Sequence, residues 1–212
     1  MSSRLAQLAR PQPAPPPDEF EHCELCGEII APEHRHLVDL SKAQLLCACR
    51  ACTILFDRST SGGGHFQLVP EERYLVRDFK LPESAWDALG LPVDLAFFFT
   101  STPAKRVVAF YPSPAGATES LLPLPAWTDL CTANPILSEL RPDVEALLVN
   151  RAGGAGDHLL VPIDQCYALV GLIRSRWRGI GGGDEVWEEI RGFFERQRAQ
   201  AIIVGNQGKE AR

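Results

Sequence analysis

Two pairs of cysteines near the amino terminus are the residues whose types and spacing indicate chemistry most clearly. Cys23 and Cys26 form one C-x-x-C pair, and Cys49 and Cys52 form the second. Thiolates at this spacing close on a single metal ion, and two such pairs complete the tetrahedral sulfur set that Zn²⁺ prefers. The pattern therefore predicts a structural Zn²⁺ bound by these four residues, with no coordination position left for a substrate.

Cys47 adds a further thiol beside the second pair. It is an alternative metal ligand that can replace Cys49, or a small residue that packs in the interior. The same cysteines can also hold iron, as a single ion or as an iron–sulfur cluster, and this is the alternative to zinc.

A set of histidines lies near the cysteines. His34 and His36 are two residues apart and share one face of a strand, where His22 could complete a second, open metal site. They adjoin the charged residues Glu33 and Arg35, however, and exposed histidines on a polar surface are the simpler interpretation.

The segments around the cysteines predict a zinc module over residues 19–58. Gly27 permits a tight turn after the first pair, residues 36–40 and 44–47 are predicted as two strands, and residues 50–56 as a helix. The tight turn at the first cysteine pair looks like a zinc knuckle, and we call it the knuckle. The knuckle, the hairpin and the helix, in this order, resemble the treble-clef class of zinc fold. So small a module buries little apolar surface, and metal binding would supply the missing stability.

The remainder of the chain predicts an α+β domain over residues 65–200, in which helices pack on a mixed β-sheet. We expect a disordered Pro/Ala-rich tail over residues 1–18, a flexible hinge over residues 59–64 and a flexible tail over residues 201–212. Strands are predicted at residues 65–69, 74–79, 93–100, 106–111, 144–150 and 158–162. Helices are predicted at residues 82–89, 125–133, 135–140 and 163–178, followed by a last helix capped by Asp184.

Composition narrows the function classes. Hydrophobic residues make up 45% of the chain and charged residues 23%, which is typical of a soluble globular protein, and no apolar run is long enough to span a bilayer. The net charge of −6 argues against nucleic-acid binding. Five of the seven cysteines fall within residues 23–52, a distribution typical of a metal site, so we expect a reducing, cytoplasmic location.

Outside the module the candidate contact residues are few. Arg174, Arg176 and Arg178 surround Trp177, where they can hold an anion or the acidic face of a protein partner, or simply form a solvated helix end. Glu119 is the one polar candidate in a predicted loop at residues 111–120. An enzyme or small-molecule-binding protein, with a pocket lined by Glu119, Asp164 or Arg174, is the alternative function.

Several stretches of the chain carry a resemblance to a known family: CELCGEIIAPEHRHLVDL, LLCACRACTILF, YPSPAGATES, PDVEALLVNR, VPIDQCYALVGLIR and WRGIGGGDEVWEEI. They cover about residues 20–195 and resemble a bacterial family, a domain of unknown function, encoded near high-affinity [NiFe]-hydrogenases. The resemblance implies a role in assembling, maturing or supporting a hydrogenase, and our first hypothesis is a non-enzymatic accessory or interaction protein. It supplies no catalytic residues.

Overall fold

The secondary structure is known from a computed structural model that describes residues 20–56, 64–179 and 181–210. These residues form five α-helices, two short 3-10 helices and three β-sheets, so the predicted α+β class is confirmed. The predicted amino-terminal tail and most of the predicted hinge lie outside the described ranges.

The amino-terminal module is built from short strands and one helix. A two-stranded sheet precedes an antiparallel hairpin, and a helix follows it, as predicted for residues 36–56. The elements are β1 (Glu21–His22), β2 (Ile29–Ile30), β3 (Arg35–Asp39), β4 (Gln44–Ala48) and α1 (Arg50–Phe56).

The module is joined to the rest of the chain by strand pairing. β5 (Phe66–Leu68), which the sequence assigned to the second domain, pairs antiparallel with β3 and completes a three-stranded sheet in the order β4-β3-β5. Val38 of β3 is buried in the core of the larger domain. The two predicted domains therefore share a sheet and part of a core.

The larger domain is organised around a seven-stranded sheet in the order β12-β6-β11-β10-β7-β8-β9. All neighbouring strands are antiparallel except β12 and β6, which are parallel, so the predicted mixed sheet is confirmed. Its strands are β6 (Tyr74–Val76), β7 (Leu95–Ser101), β8 (Arg106–Ser113), β9 (Gly116–Ser120), β10 (Glu145–Asn150), β11 (Asp157–Pro162) and β12 (Ile202–Val204).

Helices cover both faces of this sheet. Side chains alternate along β7, so that Phe97 packs with one set of helices and Phe98 with the other. Every residue of the central strand β10 is buried, as expected for a strand covered on both faces. One face carries α2 (Glu83–Ala88), α3 (Leu124–Ala133) and a 3-10 helix (Pro135–Glu139), and the other carries α4 (Ile163–Arg176) and α5 (Asp184–Gln200).

The predicted loop at residues 111–120 is instead the end of β8, the turn and all of β9 in the β8–β9 hairpin. Prolines suggested a loop because they cannot donate to a sheet. Pro112 is tolerated because β8 pairs with β7 only as far as Phe110, so the proline lies beyond that ladder. Gly116, with φ of +125°, makes the turn.

The carboxyl-terminal segment also differs from its expected flexible tail. Ile202–Val204 form β12, and Lys209 beyond it reaches the buried Glu145 with an Nζ–Oε2 distance of 2.7 Å. The segment was hard to recognise because only one residue of β12, Val204, is buried. Sheet pairing, this ion pair and hydrogen bonds of Asn206 and Lys209 with the segment around Glu139 hold it in place, rather than an apolar pattern.

The predicted cap of the last helix is wrong in detail. Gly183 is the N-cap residue of α5, with no side-chain cap hydrogen bond, and Asp184 is the first helical residue. There its negative charge still suits the positive end of the helix dipole.

Among the described residues, no helix combines the length and the apolar character that crossing a membrane requires.

Candidate metal centre

The first cysteine pair lies in the turn between β1 and β2. The Gly27 N–H donates to the Cys23 carbonyl at 2.8 Å, and the Cys23 N–H donates to the Glu28 carbonyl at 2.8 Å. Gly27 adopts a φ of +78°, which an L side chain resists, and this explains the glycine predicted at the turn. The local sequence thus folds the C-x-x-C segment into the expected knuckle.

The second pair lies where the hairpin passes into the helix. Cys49 follows β4 directly and Cys52 is in the first turn of α1, with its N–H directed at the Cys49 Sγ at 3.5 Å. The knuckle is held against the hairpin by Glu24, whose N–H donates to the Cys47 carbonyl at 2.9 Å. The Glu24 carboxylate in turn accepts the Cys47 N–H at 2.6 Å.

These contacts bring the four predicted ligands together. The Sγ atoms of Cys23, Cys26, Cys49 and Cys52 all lie within 4.8 Å of one another, and those of Cys26 and Cys49 are 3.7 Å apart. Around a tetrahedral Zn²⁺ with Zn–S bonds of about 2.3 Å, neighbouring sulfurs lie about 3.8 Å apart. The donor set and its spacing are therefore compatible with a structural metal such as zinc.

The pKa values of three thiols in the cluster are shifted, and not all in the same direction. Burial opposes ionisation of Cys23, but N–H groups of Cys49, Leu25 and Cys26 stabilise its thiolate and lower its pKa to about 6. Burial and hydrogen bonding to the neighbouring thiols raise the pKa of Cys52. At Cys26 the backbone of Glu28 favours the thiolate, yet the neighbouring thiols prevail and raise the pKa. A bound divalent cation would favour the thiolate form of all four cysteines, because only deprotonated sulfur coordinates the metal.

Cys47, the alternative ligand, groups with other residues. It lies directly opposite His36 in the β3–β4 register, and His34 lies on the same side as His36 with ring centroids 4.8 Å apart. One donor atom from each of His34, His36 and Cys47 lies within 4.8 Å of the others. His22 belongs to neither group, and its Nδ1 contacts the Gly27 carbonyl at 3.0 Å.

A sequence signal for this second group existed. The predicted strands at residues 36–40 and 44–47 already imply a hairpin that places Cys47 near His36. Cys47 was instead weighed only against Cys49, because the C-x-x-C spacing drew attention to the first group.

Glu119, Asp164 and Arg174, which the alternative function places in one pocket, do not lie together. Glu119 on β9 pairs with Arg106 at 2.5 Å and borders a cavity of about 240 Å³. Asp164, in the first turn of α4, contacts the His36 Nδ1 at 3.0 Å, whereas Arg174 is exposed near the other end of that helix. The three side chains belong to three separate places.

The predicted arginine–tryptophan cluster lies at the junction of α4 and α5. Arg176 lies 3.7 Å from Glu185 and 4.0 Å from Glu189 of α5, which partly offsets its charge. Trp177 meets Trp187 edge-on, with ring centroids 6.3 Å apart. Trp187 is 36% exposed, so part of its ring is open to solvent.

A cleft of about 890 Å³ lies beside the two tryptophans and was not predicted. Its buried carboxylate, Asp157, accepts hydrogen bonds from Asn150 at 3.0 Å and from Arg198 at 2.7 Å. Asp157 is thus hydrogen-bonded by both neighbours, and we assign these three residues a structural role. The sequence signal was weak, because the lining residues come from the ends of separate strands and helices.

Comparison with known proteins identifies a family. A family model described as "Family of unknown function (DUF5947)" matches residues 22–201, which include all four clustered cysteines. Neither the curated proteins nor the solved structures contain a match to the chain.

Proposed function

The chain belongs to the DUF5947 family of unknown function, and we propose that it is a non-enzymatic, zinc-containing accessory protein. In this proposal it acts in the cytoplasm by contacting a metalloenzyme, a [NiFe]-hydrogenase or its maturation machinery. The metal shapes the amino-terminal module, and the protein surface recognises the partner.

The grouping of the four cysteine sulfurs within 4.8 Å carries this proposal. Four thiolates fill the tetrahedral shell of Zn²⁺, so an ion bound there would stabilise the fold and leave no position for substrate or water. The order of knuckle, hairpin and helix supports a treble-clef-like description of the module.

The contact surface is assigned to the junction of α4 and α5. Trp187 is partly exposed and Arg174 is exposed nearby on α4, and tryptophan and arginine contribute strongly to protein–protein binding. The nature of the partner rests on the resemblance of this chain to proteins encoded near high-affinity hydrogenases.

A pull-down with the tagged full chain in its native host tests the proposal. We expect hydrogenase subunits or maturation proteins to be recovered with the wild-type chain, and to be lost with Trp187→Ala or Arg174→Glu. Lys105→Glu, which reverses an exposed cation in the β7–β8 turn, serves as the matched control and should retain them.

Recovery of the same proteins with all three variants would remove the α4–α5 junction from the proposal. If the wild-type chain recovers no hydrogenase component under expression conditions for the hydrogenase, the proposed partner is wrong.

A further inference from the structure

The second donor group, formed by His34, His36 and Cys47, lies on the face of the β3–β4 hairpin that meets the larger domain. Val38 and Leu45 continue the same face and pack in the core beneath α4 and α5. The group therefore faces the junction of the module with the larger domain. Leu37 and Ala48, on the opposite face of the hairpin, pack with Cys23 in a small core that Cys47 also contacts.

His34 has one ring nitrogen without a partner. Its side chain is 9% exposed, and its Nδ1 donates to the Ala31 carbonyl at 2.9 Å. Its Nε2 is buried and makes no hydrogen bond to any residue that the structure describes. Buried polar atoms in native proteins are almost always satisfied, and one that is not calls for a missing partner such as an ion.

His36 is oriented in the manner of a metal-binding histidine. Its Nδ1 donates to the Asp164 carboxylate at 3.0 Å, across 128 residues of sequence. A carboxylate on one ring nitrogen fixes the tautomer and leaves the other nitrogen, Nε2, as a lone-pair donor, which is the usual arrangement behind a coordinated histidine.

We propose that the Nε2 atoms of His34 and His36 and the Sγ of Cys47 form a second transition-metal site. Two imidazoles and one thiolate suit Zn²⁺, Co²⁺ or Ni²⁺ and do not suit Mg²⁺ or Ca²⁺, which require oxygen ligands. Three protein ligands leave one tetrahedral position for water or for a ligand from a partner. The His36 side chain is partly exposed, so that position can be reached from solvent.

This site goes beyond the proposed function and does not depend on a hydrogenase partner. It also assigns a function to two further residues. Cys47 binds the metal, and Asp164 is a positioning residue that acts through His36.

Metal titration of the full chain under reducing conditions, with Zn²⁺ alone and with Co²⁺ alone, tests the proposal. We expect two equivalents to bind tightly to the wild type. His34→Gln and Cys47→Ser should each bind one, with the tetrathiolate cobalt spectrum of the other site unchanged. The controls His65→Gln, at an exposed histidine, and Cys131→Ser, at a cysteine in the opposite core, should bind two.

Asp164→Asn separates positioning from general stability. It should still bind two equivalents at saturation, but the affinity of the site formed by His34, His36 and Cys47 should fall by about 10- to 100-fold. The proposal is overturned if the wild type binds a single equivalent at saturating metal. It is equally overturned if folded His34→Gln and Cys47→Ser proteins both retain two.

Discussion

At the scale of single residues, spacing predicted the four-cysteine cluster because a C-x-x-C pair constrains its own geometry. The two pairs need only a hairpin between them to meet, and the sequence indicated that hairpin. The contact of His36 with Asp164 could not be predicted in this way, because it joins residues 128 positions apart through the packing of α4. Local chemistry was visible in the sequence, whereas its long-range partners were not.

Glu145 shows how much a single buried charge matters. It is 2% exposed, and burial opposes its ionisation, yet hydrogen bonds from Arg141 and Lys209 prevail and lower its pKa. A lowered carboxyl pKa adds stability above the unfolded-state pKa, and this stability is lost as pH falls through the folded-state value.

We therefore expect Lys209→Met to lower the free energy of unfolding at neutral pH by about 2–3 kcal/mol, because it leaves a buried carboxylate short of a partner. The difference from wild type should shrink as pH falls below the ordinary carboxyl pKa and through the lowered folded-state pKa of Glu145. Urea unfolding at neutral and acidic pH measures both effects. Lys105→Met, at an exposed lysine, is the control, and equal stability of the two variants would refute the role of Lys209.

At the scale of elements, hydrophobic alternation and glycine breaks located most strands and helices within a few residues. β9 and β12 were missed for opposite reasons: prolines and small residues disguised β9, and β12 shows only one buried residue. Both are edge strands of the seven-stranded sheet. Fewer of their residues are buried, so the apolar pattern in their sequence is weak.

The turn between α4 and α5 depends on Gly182. It has a φ of +83°, and a Cβ placed there would lie 2.8 Å from the Val186 Cγ1 and 3.1 Å from the Trp177 ring. Gly182→Ala should therefore destabilise the protein by about 2–4 kcal/mol, through backbone strain and overpacking together.

Gly183→Ala provides the matched comparison. Gly183 has a φ of +81°, but a Cβ there meets no atom within 4 Å among the described residues, so only the backbone cost applies. Thermal unfolding should rank wild type above Gly183→Ala, and Gly183→Ala above Gly182→Ala. Equal losses for the two variants would show that the contact with Trp177 and Val186 contributes nothing.

At the scale of the whole molecule, the amino-terminal module and the α+β domain are less separate than the sequence suggested. β5 pairs with the hairpin of the module, Val38 enters the larger core, and the His36–Asp164 hydrogen bond joins the hairpin to α4. A metal that organises the module should thus stabilise the larger domain as well, since binding to the folded state alone lowers its free energy.

Metal analysis of the full chain, purified without chelator, tests the central claim most directly. We predict that the wild type contains tightly bound zinc and that Cys49→Ser loses one equivalent of it, while Cys131→Ser retains the wild-type content. A folded wild-type protein without zinc, or a Cys49→Ser variant with undiminished zinc, would contradict a metal held by the four clustered cysteines.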